Sequence, residues 1–439
     1  MFMNLEDKLK LVERLKTALQ AFEAKATPEQ VEAVHKTLRR HSDALFENAD
    51  LDTVKSSEFS LVKPLLEDTD EEKAAELKSR LAGSGFSQLL ARIEAAVKKT
   101  LGMAELVFHP RVLPDGAIFG DGKYEILDLG WIEAFIAWLD NYFTPREFPQ
   151  PGVWLNRLGE GDRRASLALF GDWGGGCWSG HNAAQAISGH IQALNPDYLI
   201  HLGDVYYAGR PEEERLYLLD YWPATNGTSF TLNSNHEMYS AGKGYFDLTL
   251  ADPRFATQNG KSFFALEFPD WIVVGLDSAF AADQDSFYLQ GRLNQVQQDF
   301  LRQVQAKGKK TIVLSHHNPI PEIGVADGTE PGSELWAQVR ASLGDSLRYW
   351  YWGHVHAGAV YQDIGKVKCR VAGHGVVPWG NAKSLQNSLG KTVVWYERTA
   401  PIPPDGVRVQ NGFVLLKLDG PDLEEAFLGE DGAVHWHLP

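Results

Sequence analysis

Apolar positions in residues 1–102 recur at helical spacing. Leu5, Leu9, Val12, Leu15, Leu19 and Phe22 follow one another every three or four residues, which sets them on one stripe of a helix with charged positions opposite. A second helix is predicted to open at Thr27-Pro28-Glu29-Gln30, where the threonine and glutamine can each bond the other's backbone N–H and proline suits the first helical position. Its stripe runs on through Val31, Val34, Leu38 and Leu45. Thr69 to Glu72 repeats the capping pattern, and a further helix through Leu89, Leu90, Ile93, Val97 and Leu101 stops at Gly102. Residues 1–102 are therefore expected to form a helical bundle, packed on the rest of the chain or offered to a protein partner or a second copy.

Residues 103–152 read as a mixed connector, with a turn at Gly120-Asp121-Gly122, an apolar helix through Trp131, Phe135 and Leu139, and a proline-rich linker from Thr144 to Gly152. Beyond it the period changes. Short apolar runs at Ser166–Phe170, Tyr198–Leu202, Trp271–Leu276, Thr311–Leu314 and Tyr349–Trp352 each end in a polar cluster, the pattern of buried strands feeding functional loops. Helical stretches such as Ala183–Leu194 and Leu293–Ala306 lie between several of them, so residues 153–439 are expected to be one α/β domain. Gly412–Leu418, Leu423–Leu428 and a short last strand after Glu430-Asp431-Gly432 predict a closing meander.

Composition narrows the functions this layout can serve. The 439 residues carry 42 basic and 58 acidic side chains, a formal net charge of −16, which disfavours extended nucleic-acid binding and suits a small or locally bound substrate. No segment approaches the ~20 apolar residues that span a bilayer. With two cysteines, Cys177 and Cys369, and an N-terminus lacking an apolar leader core, a reducing cytoplasm is expected.

The polar clusters carry the chemistry. Gly171-Asp172-Trp173-Gly174, Gly203-Asp204-Val205-Tyr206-Tyr207, Asn235-His236-Glu237, Ser315-His316-His317-Asn318-Pro319 and Gly353-His354-Val355-His356 hold carboxylate, amide, phenol and imidazole groups. Such a set suits two closely spaced first-row metals bridged by a shared carboxylate, an arrangement able to clamp a phosphoryl group and acidify a water. Parallel strand ends converge on one rim, so five loops can build one site.

In this order the five clusters resemble the calcineurin-like metallophosphoesterases and, within them, the purple acid phosphatase branch. Gly174 stands where most relatives have the histidine of Asp-x-His, and Tyr207 follows Asp204 by three residues; that branch shows both departures. The resemblance spans Arg164 to Gly380. It implies a sandwich of two β-sheets flanked by helices, with the N-terminal helices added. It further implies that Asp172, Asp204, Tyr207 and His356 hold a first metal, iron, and that Asn235, His316 and His354, with Asp204 bridging, hold a second, which is iron, zinc or manganese. The reaction implied is hydrolysis of a phosphate monoester or diester by a metal-bound hydroxide, without a phosphoenzyme, with His236 facing the phosphate. The family's third motif is Gly-Asn-His, whereas Ser234 stands here before Asn235. In the fourth motif, counting from the strand at Val313 selects His316, while His-x-Pro spacing selects His317; His316 is taken as the ligand and His317 as a phosphate contact.

His181 and His374, each in a glycine-rich loop, are candidates for lining the substrate pocket. His201 is expected in the core, and His35, His41, His435 and His437 in solvent. Trp173, Trp350, Trp352 and Trp379 are expected to pack, with stacking on an aromatic leaving group as the alternative, and Cys177 is expected to pack rather than act as a nucleophile. The competing reading of the whole chain is a metal-binding interaction scaffold with little or no turnover.

Overall fold

The computed structural model describes residues 5–34, 111–112, 118–119, 130–144, 146–156, 163–173, 182–375, 383–401 and 408–438. Most of the expected bundle and connector, together with His35, His41, Cys177, His181 and Trp379, lies outside these residues.

The first helix, α1 (Leu5–Glu23), buries Leu11, Leu15, Ala18, Leu19 and Phe22. They meet Ala134, Ala137 and Trp138 of α2 (Gly130–Asn141) in one apolar cluster. Phe22 meets Tyr142 edge-on at 4.8 Å between ring centroids and stacks on Phe143 at 5.5 Å. The expected capping box is present: Thr27 N donates to Gln30 Oε1 at 2.9 Å, and Gln30 N to Thr27 Oγ1 at 3.3 Å. An ionic chain ties this pair to the body. Glu133 accepts from Arg14 at 2.6 Å and from Arg210 at 3.3 Å, and Arg210 also meets Glu213 at 2.7 Å.

Two mixed sheets form the body. One is built from β1 (Val153–Asn156), β5 (Phe264–Glu267), β6 (Trp271–Gly275), β7 (Lys310–Ser315), β8 (Leu347–Trp352), β9 (Gly358–Tyr361), β10 (Lys368–Ala372) and β11 (Val393–Tyr396), in the spatial order β11-β9-β10-β8-β7-β6-β5-β1. The other has β2 (Arg164–Phe170), β3 (Tyr198–His201), β4 (Thr228–Thr231), β12 (Gly412–Asp419), β13 (Asp422–Gly429) and β14 (Val434–Leu438), in the order β14-β13-β12-β2-β3-β4. The last three strands are antiparallel neighbours, as the tail pattern predicts.

Alternation explains why these runs are apolar throughout. Leu167 and Leu169 of β2, Ile312 and Leu314 of β7, and Tyr349 and Tyr351 of β8 fill the space between the sheets. Ala168 and Phe170 face the outer helix α3 (Ala183–Leu194). Val313, Trp350 and Trp352 face α5 (Gln295–Gln305) and α6 (Glu334–Leu343) across the other sheet. A strand covered on both faces has no solvent side to make polar. The tryptophans that follow or precede the motifs, Trp173, Trp350 and Trp352, are thus core residues. One charged pair also crosses the sandwich: Arg370 of β10 meets Glu425 of β13, with Nη2 to Oε1 at 2.7 Å and the Tyr351 hydroxyl donating to Oε2 at 2.6 Å.

Candidate functional site

Strands β2, β3 and β4 run parallel, as do β7 and β8, and their C-terminal ends meet at one rim. Gly171-Asp172 follows β2, Gly203-Asp204 follows β3, His316-His317 follows β7 and Gly353-His354 follows β8. After β4 the chain enters the short helix α4 (Asn235–Tyr239), whose cap Ser234 accepts His236 N–H at 3.0 Å. Asp172, Asp204 and His354 hold φ values of 59°, 70° and 65°. Side-chain-bearing residues avoid that region at a cost of about 1–3 kcal/mol each, so the surroundings must hold them there. Asp172 N donates to Gly203 O at 2.9 Å, Trp173 N to Asp204 O at 2.7 Å, and His354 N to Asp172 Oδ2 at 3.0 Å. Gly353 lets the strands close this tightly, since a Cβ there would sit 2.7 Å from Asp172 Oδ2.

Ligand-type atoms fall into two groups joined by Asp204. In the first, Asp172, Asp204 and His356 offer atoms within 4.8 Å of one another. His356 Nε2 stands 3.5 Å from Asp172 Oδ1 and contacts the Tyr206 hydroxyl. In the second, His316 is decisive. Its Nδ1 donates to Leu202 O at 3.0 Å, so in the neutral ring Nε2 carries a lone pair. That lone pair faces Asn235 Oδ1 at 2.9 Å, His354 Nδ1 at 3.1 Å and Asp204 Oδ1 at 3.2 Å. Asn235 presents its oxygen because its Nδ2 donates to Tyr239 Oη at 2.7 Å.

Burial controls the charges. The Asp172 and Asp204 carboxyls are pushed well above the usual range, first by desolvation, then by the Asp204 charge on Asp172 and by Glu237 on Asp204. Desolvation also drives His236, His316 and His317 well below the ordinary histidine value, and takes His354 to about 4 and His356 to about 3. Two buried carboxylate oxygens, Asp172 Oδ1 and Asp204 Oδ2, have no hydrogen-bond partner. Acceptors turned on acceptors, with orphaned anionic oxygens among them, are the signature of a cation-binding site. Carboxylate, amide oxygen and imidazole are a donor set that fits first-row metals.

The structure brings together Asp172, Asp204, Asn235, His236, His316, His354 and His356. His236 directs Nδ1 to Tyr207 O at 2.6 Å and turns Nε2 to Asp204 Oδ2 at 3.6 Å. Tyr207 is placed otherwise than expected: its ring end lies on Gly130 of α2, where a Cβ would come within 2.4 Å of Cζ. Its neighbour Tyr206, which the sequence reading did not single out, is the buried tyrosine whose hydroxyl reaches His356. His317 lies beside His316 and His354, but Ser278 Oγ at 2.9 Å and Tyr288 O at 2.7 Å already engage both its nitrogens. His374, expected to line the substrate pocket, packs among strands. It is 2% exposed, boxed between Gly358, Gly412 and Phe427, because the strands there close over the ring. His201 is buried in β3, as expected, and His437 is exposed. His435 departs from its solvated expectation: it is half-buried, and Glu397 and Asp431 bond it and hold its pKa up.

A family model described as calcineurin-like phosphoesterase matches residues 165–358. Those residues form a calcineurin-like phosphoesterase domain. The match takes in all five loops of the rim and leaves α1 and α2 outside. Among solved structures, the chain is similar to GAP50, the anchor in the inner membrane complex of Plasmodium, at 15% identity and a TM-score of 0.42, covering 63% of this chain and 88% of that one. It is also similar to the purple acid phosphatase PPD1 from yellow lupin (Lupinus luteus) seeds, at 14% identity and 0.40, covering 63% and 53%. A dimetal phosphatase from Danio rerio gives 13% identity and 0.38, covering 61% and 96%. No curated protein sequence matches the chain. Among the described residues, no helix is long and apolar enough to cross a membrane.

Proposed function

We propose that the protein is a dinuclear-metal phosphoesterase acting on a small or locally bound phosphate ester in a reducing cytoplasm. The observation that carries this reading is the lone pair of His316 Nε2 facing Asn235 Oδ1, His354 Nδ1 and the shared carboxylate of Asp204. Asp172, Asp204 and His356 would hold one metal, with Tyr206 as the nearest phenol, and Asp204, Asn235, His316 and His354 the other. Bound there, the ions supply Lewis-acid polarisation of phosphoryl oxygens and acidify water into a nucleophile near neutral pH.

The chain's own groups supply the rest. Nδ1 of His236 is anchored on Tyr207 O, so Nε2 is the nitrogen turned to the site; in the neutral ring it accepts, and it bonds a phosphoryl oxygen or gives a proton to the leaving oxygen only from the protonated ring, which a bound phosphate dianion would favour. Ser234 Oγ contacts both Asp204 Oδ1 and Glu237 Oε2, and so fixes the direction of the shared carboxylate. No side chain here is needed as a covalent nucleophile.

Turnover of p-nitrophenyl phosphate, its bis-ester and cyclic nucleotides, with Mn²⁺ or Fe/Zn added, tests the reading. Hydrolysis of at least one, abolished by chelation and restored by metal, is expected. Two tightly bound ions with no turnover of any of the three would favour the scaffold reading instead.

The purple acid phosphatase-like branch is a finer proposal, and it needs a tyrosinate on Fe³⁺. The iron-loaded, oxidised protein should absorb in the visible range, and Tyr206→Phe should abolish the band while Tyr207→Phe keeps it. Identical spectra from all three proteins would rule out tyrosinate ligation.

A further inference from the structure

A tryptophan beside the site comes from outside the residues that the family model matches. Trp131, in the first turn of α2, sets its ring edge-on to Tyr206 at 5.8 Å, Tyr207 at 5.6 Å and His236 at 5.6 Å between centroids. It is half-buried, whereas Trp173, Trp350 and Trp352 are fully enclosed. The helix is locked in this position. Gly130 accepts the Tyr207 ring where a Cβ could not fit, Trp138 meets Phe287 edge-on at 5.0 Å, and Glu133 holds Arg210. Phe287 in turn stacks on Tyr239 of α4 at 3.9 Å, so α2 and the helix carrying His236 share one aromatic cluster.

Resting on the phosphoesterase reading, we propose that Trp131 is a specificity-determining residue that selects aryl phosphates. In such an ester the ring is bonded directly to the leaving oxygen. If that oxygen lies at His236 Nε2, the ring falls within reach of the indole beside His236. A flat aromatic group gains an edge-to-face or offset contact and buries apolar area there, while a short alkyl group gains little of either. Trp131 touches the leaving group and leaves the phosphoryl group to the rim residues.

Non-hydrolysable phosphonates test this without turnover. The metal-loaded protein is titrated calorimetrically with phenylphosphonate and methylphosphonate, alongside Trp131→Ala and Trp131→Phe. The wild-type protein should bind the phenyl compound more tightly. Trp131→Ala should weaken phenylphosphonate about fivefold to tenfold and methylphosphonate less than about twofold, and Trp131→Phe should recover most of the loss. Equal weakening of both compounds, or no change in either, overturns the proposal and leaves the phosphoesterase reading standing. If the wild-type protein binds neither phosphonate nor inorganic phosphate, that reading fails and the proposal falls with it.

Discussion

Two clusters of buried charge lie in the same sandwich and are built in opposite ways. Arg370 and Glu425 are 2% and 1% exposed, yet each is answered from within: Arg370 Nε reaches both Glu425 oxygens and Nη2 reaches Oε1, Nη1 donates to Cys369 O at 3.0 Å, and Tyr351 donates to Glu425 Oε2. Asp172 and Asp204 are as deeply buried and accept from His354 N and Ser234 Oγ, but their other neighbours are carboxyls and lone-pair imidazoles, and each keeps an orphaned oxygen. A cluster that satisfies itself belongs to the scaffold. One that holds acceptors against acceptors marks a place for something the chain does not encode.

The strongest way to break the contrast is Asp204→Asn. Removing the carboxylate shared by both groups should cost on the order of a hundredfold to a thousandfold in turnover and release both metals, while the metal-free protein melts no lower than wild type. Two retained ions by metal analysis would refute the assignment. Arg370→Ala should do the reverse. Leaving Glu425 buried without its cation should destabilise the fold by about 3–5 kcal/mol in urea titration, with metal affinity unchanged in the folded fraction.

A smaller difference separates neighbours within the site. His316→Ala removes the nitrogen on which the second group converges and should lose the second metal, whereas His317→Ala should weaken metal binding by about tenfold at most, as for an orienting contact. The reverse order would make the His-x-Pro register the true one.

Sharpest in sign, though modest in size, is the pH response of the metal-free protein. Histidines such as His354 and His356, held near 4 and 3, give stability that is present above their unfolded value near 6.5 and is lost as pH falls toward those numbers. Glu237, pushed to about 7 by burial, and Asp172 and Asp204, pushed well above the carboxylate range, act oppositely. Their stability is present at low pH and is lost as pH rises through those raised values. Melting temperature should therefore peak near pH 6.5, and saturating Mn²⁺ should abolish the alkaline decline. A flat profile without metal would mean that the carboxyls are not held protonated.

What the sequence made legible follows from range. The strand runs and their polar ends are local, so β2, β3, β7 and β8 and the residues after them could be placed from periodicity, and Asp172 and His316 with them. The Thr27–Gln30 cap was local too. Spacing could not say which of two adjacent tyrosines turns inward, because the packing of α2 on Tyr207 decides that. His374 looked like a pocket residue because its loop is glycine-rich, but Gly373 and Gly375 let that loop close on Val355 and Gly171, while Gly358 and Gly412 leave room for the His374 ring between strands. Arg370 and Glu425 meet only once two sheets have stacked, and Trp131 read correctly as part of an apolar face whose docking partner lies far along the chain.

Strand β2 has β3 on one side and β12 on the other, with Arg164 opposite Asp419. Closing so long a loop delays that pairing, and contacts of this separation slow folding. As the chain emerges from the ribosome, that edge of β2 stays unpaired until Gly412–Asp419 has been synthesised. The rim needs strands from both sheets, so its cage is complete only once the two sheets have stacked. A metal ion that meets the nascent chain finds separate carboxylates and imidazoles, each free to bind it in the wrong company, and correct loading falls to the finished protein.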